Sequence, residues 1–137
     1  MKKIFLLLAL TSCVKENDLI THFADKHKIP KHIALGLVKV ESNFNPKARS
    51  RCDARGLTQV IPKWHRKRCD LISDDQLYQP RKNLDCGLSY LRELYLEDFS
   101  ISNALAKYNA GNRGHYTSAG KIYAKNVLEA AKYYESL

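Results

Sequence analysis

Several absences narrow this chain before any motif is read. No apolar run in its 137 residues approaches the length of about 20 that crossing a bilayer requires. No stretch alternates apolar and polar residues for long enough to make a strand, so no sheet is expected. Internal repeats, low-complexity tracts and linker-like runs are missing, and a chain of this length suits one domain. Acidic residues are scarce, 14 against 23 basic ones, which leaves a formal charge of +9. Cysteine is limited to four positions whose spacing fits no zinc pattern, and His65 and His115 stand in no ligand register with them. Metal binding is not expected, and no residue pattern asks for a cofactor.

What is present is ordinary globular material, 45% hydrophobic and 27% charged, enough for a core. The positive excess asks for an anionic partner, whether nucleic acid, lipid head groups or an acidic polymer such as cell wall. Charge alone does not choose among them. The N-terminus has a targeting pattern: Lys2-Lys3 as a basic region, then the short apolar run Ile4 to Leu10. Leu10-Thr11-Ser12-Cys13 resembles a bacterial lipobox, in which the cysteine is lipidated. Residues 1–12 are therefore expected to be a lipoprotein signal peptide, with residues 18–137 as the folded domain. An ordinary secretory signal is the alternative. Either way the protein is expected to be exported and a monomer: periplasmic and held to the membrane only by a lipid at Cys13 in the lipoprotein reading, secreted in the alternative.

The rest of the chain has helical periodicity. Asn17 or Asp18 caps a first helix in which Leu19, Ile20, Phe23 and Ala24 share a face, ending near Lys28. Pro30 opens a second helix running to about Ser42. A polar loop covers Asn43 to Arg55, and Gly56 to Ile61 is expected to form a short helical turn closed by Pro62. The basic stretch Lys63 to Arg68 follows, then a connective segment, Asp70 to Pro80. Leu84, Leu88, Leu91, Leu94 and Tyr95 mark a long helix from about Arg81 to Asp98. Ser100 or Ser102 caps another over Asn103 to Tyr108, and Ile122 to Tyr134 closes the chain.

Glu41 stands out in this frame. The apolar run Ile33 to Val38 leads into it, and Pro46 disfavours a helical Asn45, so the helix must stop just beyond it. An acid in the last turn of a buried helix faces the negative end of the macrodipole, and burial penalises its charged form. Both effects favour a carboxyl that stays protonated near neutral pH, as a general acid must. The plain alternative is a helix-end carboxylate pointing into water.

Four patches in order decide between these readings. Glu41-Ser42-x-Phe44-Asn45-Pro46 is followed by Ser50, then by Gly56-Leu57-Thr58-Gln59-Val60-Ile61-Pro62. Next come Asn83-x-x-x-Gly87-x-x-Tyr90-Leu91 and Ala106-Lys107-Tyr108-Asn109-Ala110-Gly111-Asn112. This series resembles the catalytic domain of soluble lytic transglycosylases, lysozyme-like enzymes that cleave peptidoglycan, over about Asp18 to Leu128. The resemblance implies an all-α, single lysozyme-like domain with a central substrate cleft and Glu41 as acid and base. It implies substrate contacts for Ser42, Ser50, Gln59, Tyr108, Asn109 and Tyr123. Three departures stand out: Thr58 where the family usually has Met, Asp53 where it usually has Gly, and Tyr123 as the lone survivor of a Glu-Thr-x-x-Tyr pattern.

Glycoside cleavage usually needs two carboxylates, and the motif cores supply one. One suffices if the substrate's own hydroxyl is the nucleophile, which is what the resemblance implies. The implied bond lies between N-acetylmuramic acid and N-acetylglucosamine, with 1,6-anhydro ends as product. Three rivals remain. One is a goose-type lysozyme using Glu41 with Asp53 as water activator. Another is a non-catalytic wall-binding lipoprotein. The third is a nucleic-acid binder built on Lys63 to Arg68, which lacks any helix-turn-helix or aromatic platform pattern, so no nucleic-acid partner is expected. Export adds an oxidising compartment. With Cys13 lipidated, Cys52, Cys69 and Cys86 leave one disulfide and one free thiol. Cys69–Cys86 is the expected pair, because it ties down a segment with few apolar anchors. Cys52–Cys69 has the same separation, but would tether the loop beside the cleft.

Overall fold

The long apolar run of the sequence becomes the core of the fold. The structure, a computed structural model, describes residues 17–137, so the signal segment and Cys13 lie outside the described residues. Helix α1 covers residues 17–26, α2 Lys31–Ser42, α3 Pro62–His65, α4 Pro80–Asp98, α5 Ile101–Ala110 and α6 Ser118–Glu135. Short 3-10 turns occupy Asp74–Tyr78 and Gly114–Tyr116. No strand occurs among the described residues, only isolated bridges from Arg49 to Arg55 and from Arg55 to Val60. No described helix is long and apolar enough to cross a membrane.

In α2 every residue from Ile33 to Val38 is buried, because this helix has neighbours on more than one side. It packs against α6 at very close range. A Cβ on Gly36 would stand 2.7 Å from the carbonyl oxygen of Val127 and 2.9 Å from the amide of Ala131. Only a glycine lets the two backbones approach this far. Ile20 of α1, Leu84, Leu88 and Leu91 of α4, Leu105 of α5 and Val127 of α6 complete the core. Asp85 fixes the end of α1 to α4 by accepting from Lys26 at 2.9 Å and meeting His27 Nε2 at 2.6 Å.

Helix ends follow local chemistry, and some differ from expectation. Pro62 opens α3 instead of closing a helix, since a proline has no amide to lose at a first turn. The stretch before it is a tight turn, not a helix, because Gly56 and Gln59 both take positive φ, +77° and +53°. The last helix starts at Ser118, earlier than Ile122, because the Thr117 hydroxyl caps the Gly120 amide at 3.0 Å. Ser100 caps α5 through the Asn103 amide at 3.1 Å, so that helix begins at Ile101. The connective segment has an apolar anchor of its own: Leu77 is fully buried in a cluster with Val60, Cys69 and Cys86. Those two cysteines are joined, their Cα atoms 5.1 Å apart, while Cys52 is free and exposed.

Candidate active site

Glu41 sits in the last turn of α2. Asn43 and Phe44 stop the helix just beyond it by taking left-handed φ values of 50° and 63°. Its carboxyl accepts a hydrogen bond from the hydroxyl of Tyr123, a buried residue in the first half of α6. Burial raises the Glu41 pKa from 4.5 to about 7, and the Tyr123 hydroxyl, which favours the charged form, opposes that rise in part. The close α2–α6 packing permitted by Gly36 sets this pair. Near neutral pH the carboxyl is therefore divided between a form that gives a proton and a form that takes one.

The turn Gly56–Gln59 faces this acid, and several helices hold it. Ser42, next to Glu41, donates its hydroxyl to the Leu57 carbonyl at 2.8 Å. From α5, the Tyr108 hydroxyl donates to the Thr58 carbonyl at 2.6 Å. From α4, the fully buried Asn83 accepts from the Thr58 amide at 2.8 Å and from the Thr58 hydroxyl at 2.6 Å. Its own amide donates to the carbonyls of Arg55 at 2.8 Å and Leu77 at 2.9 Å. Thr58 also fills the space that Gly87 leaves open, where an added Cβ would meet its hydroxyl at 2.1 Å. Every polar group of Asn83 is thus used, as burial demands. Asn83 appeared in the sequence only as a motif letter. A polar residue on the buried face of α4 was the signal that could have marked it.

The sequence-predicted residues divide in space. Tyr108 lies close enough to Glu41 for the carboxylate's charge, added to burial, to push its phenol's pKa upward. Ser42 is buried and spends its hydroxyl on the backbone, so it braces the turn. Gln59 donates its side-chain amide to the carbonyls of Ala48 at 3.1 Å and Gly56 at 3.0 Å. Ser50 is exposed, and its hydroxyl accepts from the Ala54 amide at 3.0 Å. Asn109 is exposed at the end of α5, and its side chain has no hydrogen-bond partner among the described residues.

Asp53 takes a different part from the one the lysozyme reading gives it. Its carboxylate is held by the side chains of Arg55 and Arg49, each at 2.8 Å. The Arg55 hydrogen bond is the main cause of a pKa below the usual carboxylate range. Arg55 is itself buried and bonds Asp75 at 2.8 Å, so the three groups close the loop against the 3-10 turn. Among the described residues no cluster of three or more potential ligands could hold a metal ion. A groove of about 470 Å³, lined by His32, Lys121, Lys125 and Lys132, lies elsewhere along α2 and α6 and contains none of these site residues.

Comparison with known proteins places this geometry in context. Residues 18–129 match the family described as the Transglycosylase SLT domain. A soluble lytic murein transglycosylase of Salmonella typhimurium is 33% identical over 132 residues, covering 88% of this chain and 20% of its own. A membrane-bound lytic murein transglycosylase C of Actinobacillus pleuropneumoniae is 37% identical over 125 residues, covering 84% of this chain and 33% of its own. This chain therefore spans a third or less of these relatives. The crystal structure of the 70 kDa soluble lytic transglycosylase of Escherichia coli superposes with a TM-score of 0.75 at 28% identity, over 88% of this chain and 24% of that one.

Proposed function

This chain belongs to the transglycosylase SLT domain family, and from that membership we propose that it cleaves peptidoglycan as a lytic transglycosylase with Glu41 as its acid and base. The observation that carries the proposal is the half-buried Glu41 carboxyl, poised at a pKa of about 7 under the Tyr123 hydroxyl. Protonated Glu41 gives its proton to the oxygen between N-acetylmuramic acid and N-acetylglucosamine, and the bond from that oxygen to muramic C1 breaks. The muramic C6 hydroxyl then attacks C1, and Glu41 takes that hydroxyl's proton back. A C6–O–C1 bond has replaced the glycosidic bond, no water is consumed, and the acid is restored. Tyr108, Gln59 and Asn109 are the proposed sugar contacts, and Ser42 and Ser50 act through the loop they brace.

The hydrolytic alternative needs a second carboxylate that activates water. Asp53 is poorly suited, because two arginines hold it and its lowered pKa makes it a weak base. The deciding experiment is digestion of purified peptidoglycan followed by mass spectrometry of the muropeptides. Anhydro ends, one water lighter than hydrolysis products, are expected. Reducing ends as the main product would overturn the proposal in favour of a lysozyme.

Export and anchoring through Cys13 go with this reading, since the substrate lies outside the cytoplasm and one relative carries the name membrane-bound. An oxidising compartment would keep the Cys69–Cys86 bond formed, which peptide mapping without reductant checks. In the chain-entropy account, a closed loop of this size contributes roughly 3 kcal/mol.

A further inference from the structure

The corner between α4 and α5 holds an aromatic ring out in water. Phe99 ends α4 with a left-handed φ of 56°, a conformation that glycine or asparagine adopts at lower cost, and it is 70% exposed. Leu96 of the same helix is exposed as well. The Phe99 ring lies 5.9 Å from that of Tyr95, and both line a groove of about 380 Å³ with Ile29 and Ile33. An apolar patch left open in this way marks an interaction surface.

Charge narrows the partner. Lys28 and Arg92 line the same groove, and no acidic residue does. The Arg92 guanidinium stands 5.3 Å from the centre of the Tyr95 ring, so cation and ring share one face. Neither Lys28 nor Arg92 is paired with a carboxylate among the described residues. The acids farther along α4 are engaged elsewhere, Glu93 with Arg68 and Glu97 with Lys107. An acidic wall polymer would satisfy the cations and leave the rings in water. A bilayer of anionic lipids meets both, since aromatic rings settle at the head-group level and basic side chains against phosphate.

The N-terminus points to the same partner. His32 lines this groove and a neighbouring one, which Asn17, Lys31 and Glu135 also line. Only Val14, Lys15 and Glu16 separate Asn17 from Cys13, so a lipid on that cysteine is attached within about 14 Å of Asn17. We propose that this face docks on a bilayer surface of anionic lipids, with Phe99 and Tyr95 among the head groups and Lys28 and Arg92 on their phosphates. Glu41 lies about 14 Å farther along the axis of α2 than His32, so the acid stands at the end of that helix away from the docked face. The docking goes beyond the proposed cleavage and does not depend on the chemistry at Glu41.

Tryptophan emission from the full chain tests it. Trp64 is the only tryptophan and lines neither groove, so Trp64→Phe combined with Phe99→Trp moves the reporter onto the face. The probes are vesicles of phosphatidylglycerol mixed with phosphatidylcholine, and vesicles of phosphatidylcholine alone. Emission from position 99 is expected to shift to shorter wavelength with the anionic vesicles, while wild-type emission from Trp64 stays in place. Lys28→Gln with Arg92→Gln is expected to raise the lipid needed for the shift about thirtyfold, and to leave digestion of purified peptidoglycan unchanged. A vesicle-bound chain whose position 99 shows no shift would overturn the inference, since a segment near the N-terminus would then be the only contact. An equal shift with neutral vesicles, or no weakening in the double variant, would overturn it too. A shift that needs no lipid and grows with protein concentration would assign the face to a second copy instead. The cleavage reading fails separately, if wild-type protein releases no anhydro muropeptides, whatever the emission shows.

Discussion

At Glu41 the proton that serves the chemistry also serves the fold. The folded-state pKa of about 7 lies above the 4.5 of the unfolded chain, so the folded state holds its proton more tightly. The stability this provides is present in full below pH 4.5 and is lost as pH rises through about 7. A rise of that size corresponds to up to about 3 kcal/mol. Glu41→Gln is expected to abolish cleavage, since proton transfer typically contributes about 10²–10⁴-fold. Denaturant melts should also show the variant matching wild type at pH 4 and exceeding it at pH 8. Substantial lysis by the folded variant would remove Glu41 from the catalytic role. Tyr123 tunes the same proton in the opposite direction: its hydroxyl favours the carboxylate, so Tyr123→Phe lets the pKa climb further. The alkaline limb of the cleavage profile should then move to higher pH, and an unmoved limb would show that the hydroxyl does not tune the acid. The position of Glu41 was legible from the apolar run before it and Pro46 after it. Tyr123 was marked only by the family resemblance, as a substrate contact; its hydrogen bond to Glu41 was not legible, because that contact crosses from α6 to α2 and leaves no mark in local spacing.

Among the elements, the α2–α6 pairing decides whether acid and tyrosine meet. A methyl group at Gly36 would collide with backbone of α6, which cannot step aside as a flexible side chain would. Gly36→Ala is expected to destabilise by about 1–3 kcal/mol, the range for overpacked cores. Because α6 carries Tyr123, the substitution should also lower turnover in the fraction that remains folded, so activity normalised to folded protein is the measurement. Turnover per folded molecule equal to wild type would show that the pairing does not set the acid. Long helices were readable because their apolar residues recur at helical spacing. Helix α4 ran close to the expected limits, Pro80–Asp98. The misreadings lie where backbone dihedrals or a single hydroxyl decide the matter. Pro62 looks the same in sequence at the start of a helix as after its end, and the reach of Thr117 to Gly120 carries α6 back to Ser118. The turn Gly56–Gln59 was recognisable as a motif, but Asn83, Ser42 and Tyr108 as its supports required the fold.

For the molecule as a whole, what matters is which carboxylates remain free to act. Asp53 is tied to Arg49 and to the buried Arg55, which places it in the scaffold of the loop. Asp53→Asn should therefore cost some stability and leave anhydro products as the main products of digestion. A shift in the product ratio, or loss of cleavage in a folded variant, would return Asp53 to the chemistry. The charge excess and the helical class were both legible from composition and periodicity, because each sums over many residues. The bracing of the Gly56–Gln59 turn is the part that reaches across the molecule. The Thr58 amide is buried and bound to Asn83 of α4, while the neighbouring carbonyls are held from α2 and α5. To free that amide, Asn83 must part from a turn that α2 and α5 also hold in place. Its hydrogen should therefore exchange with deuterated solvent only when the entire domain unfolds. Followed by NMR, this amide would report the global unfolding free energy in buffer without denaturant, and a faster exchange rate would show that the cleft opens on its own.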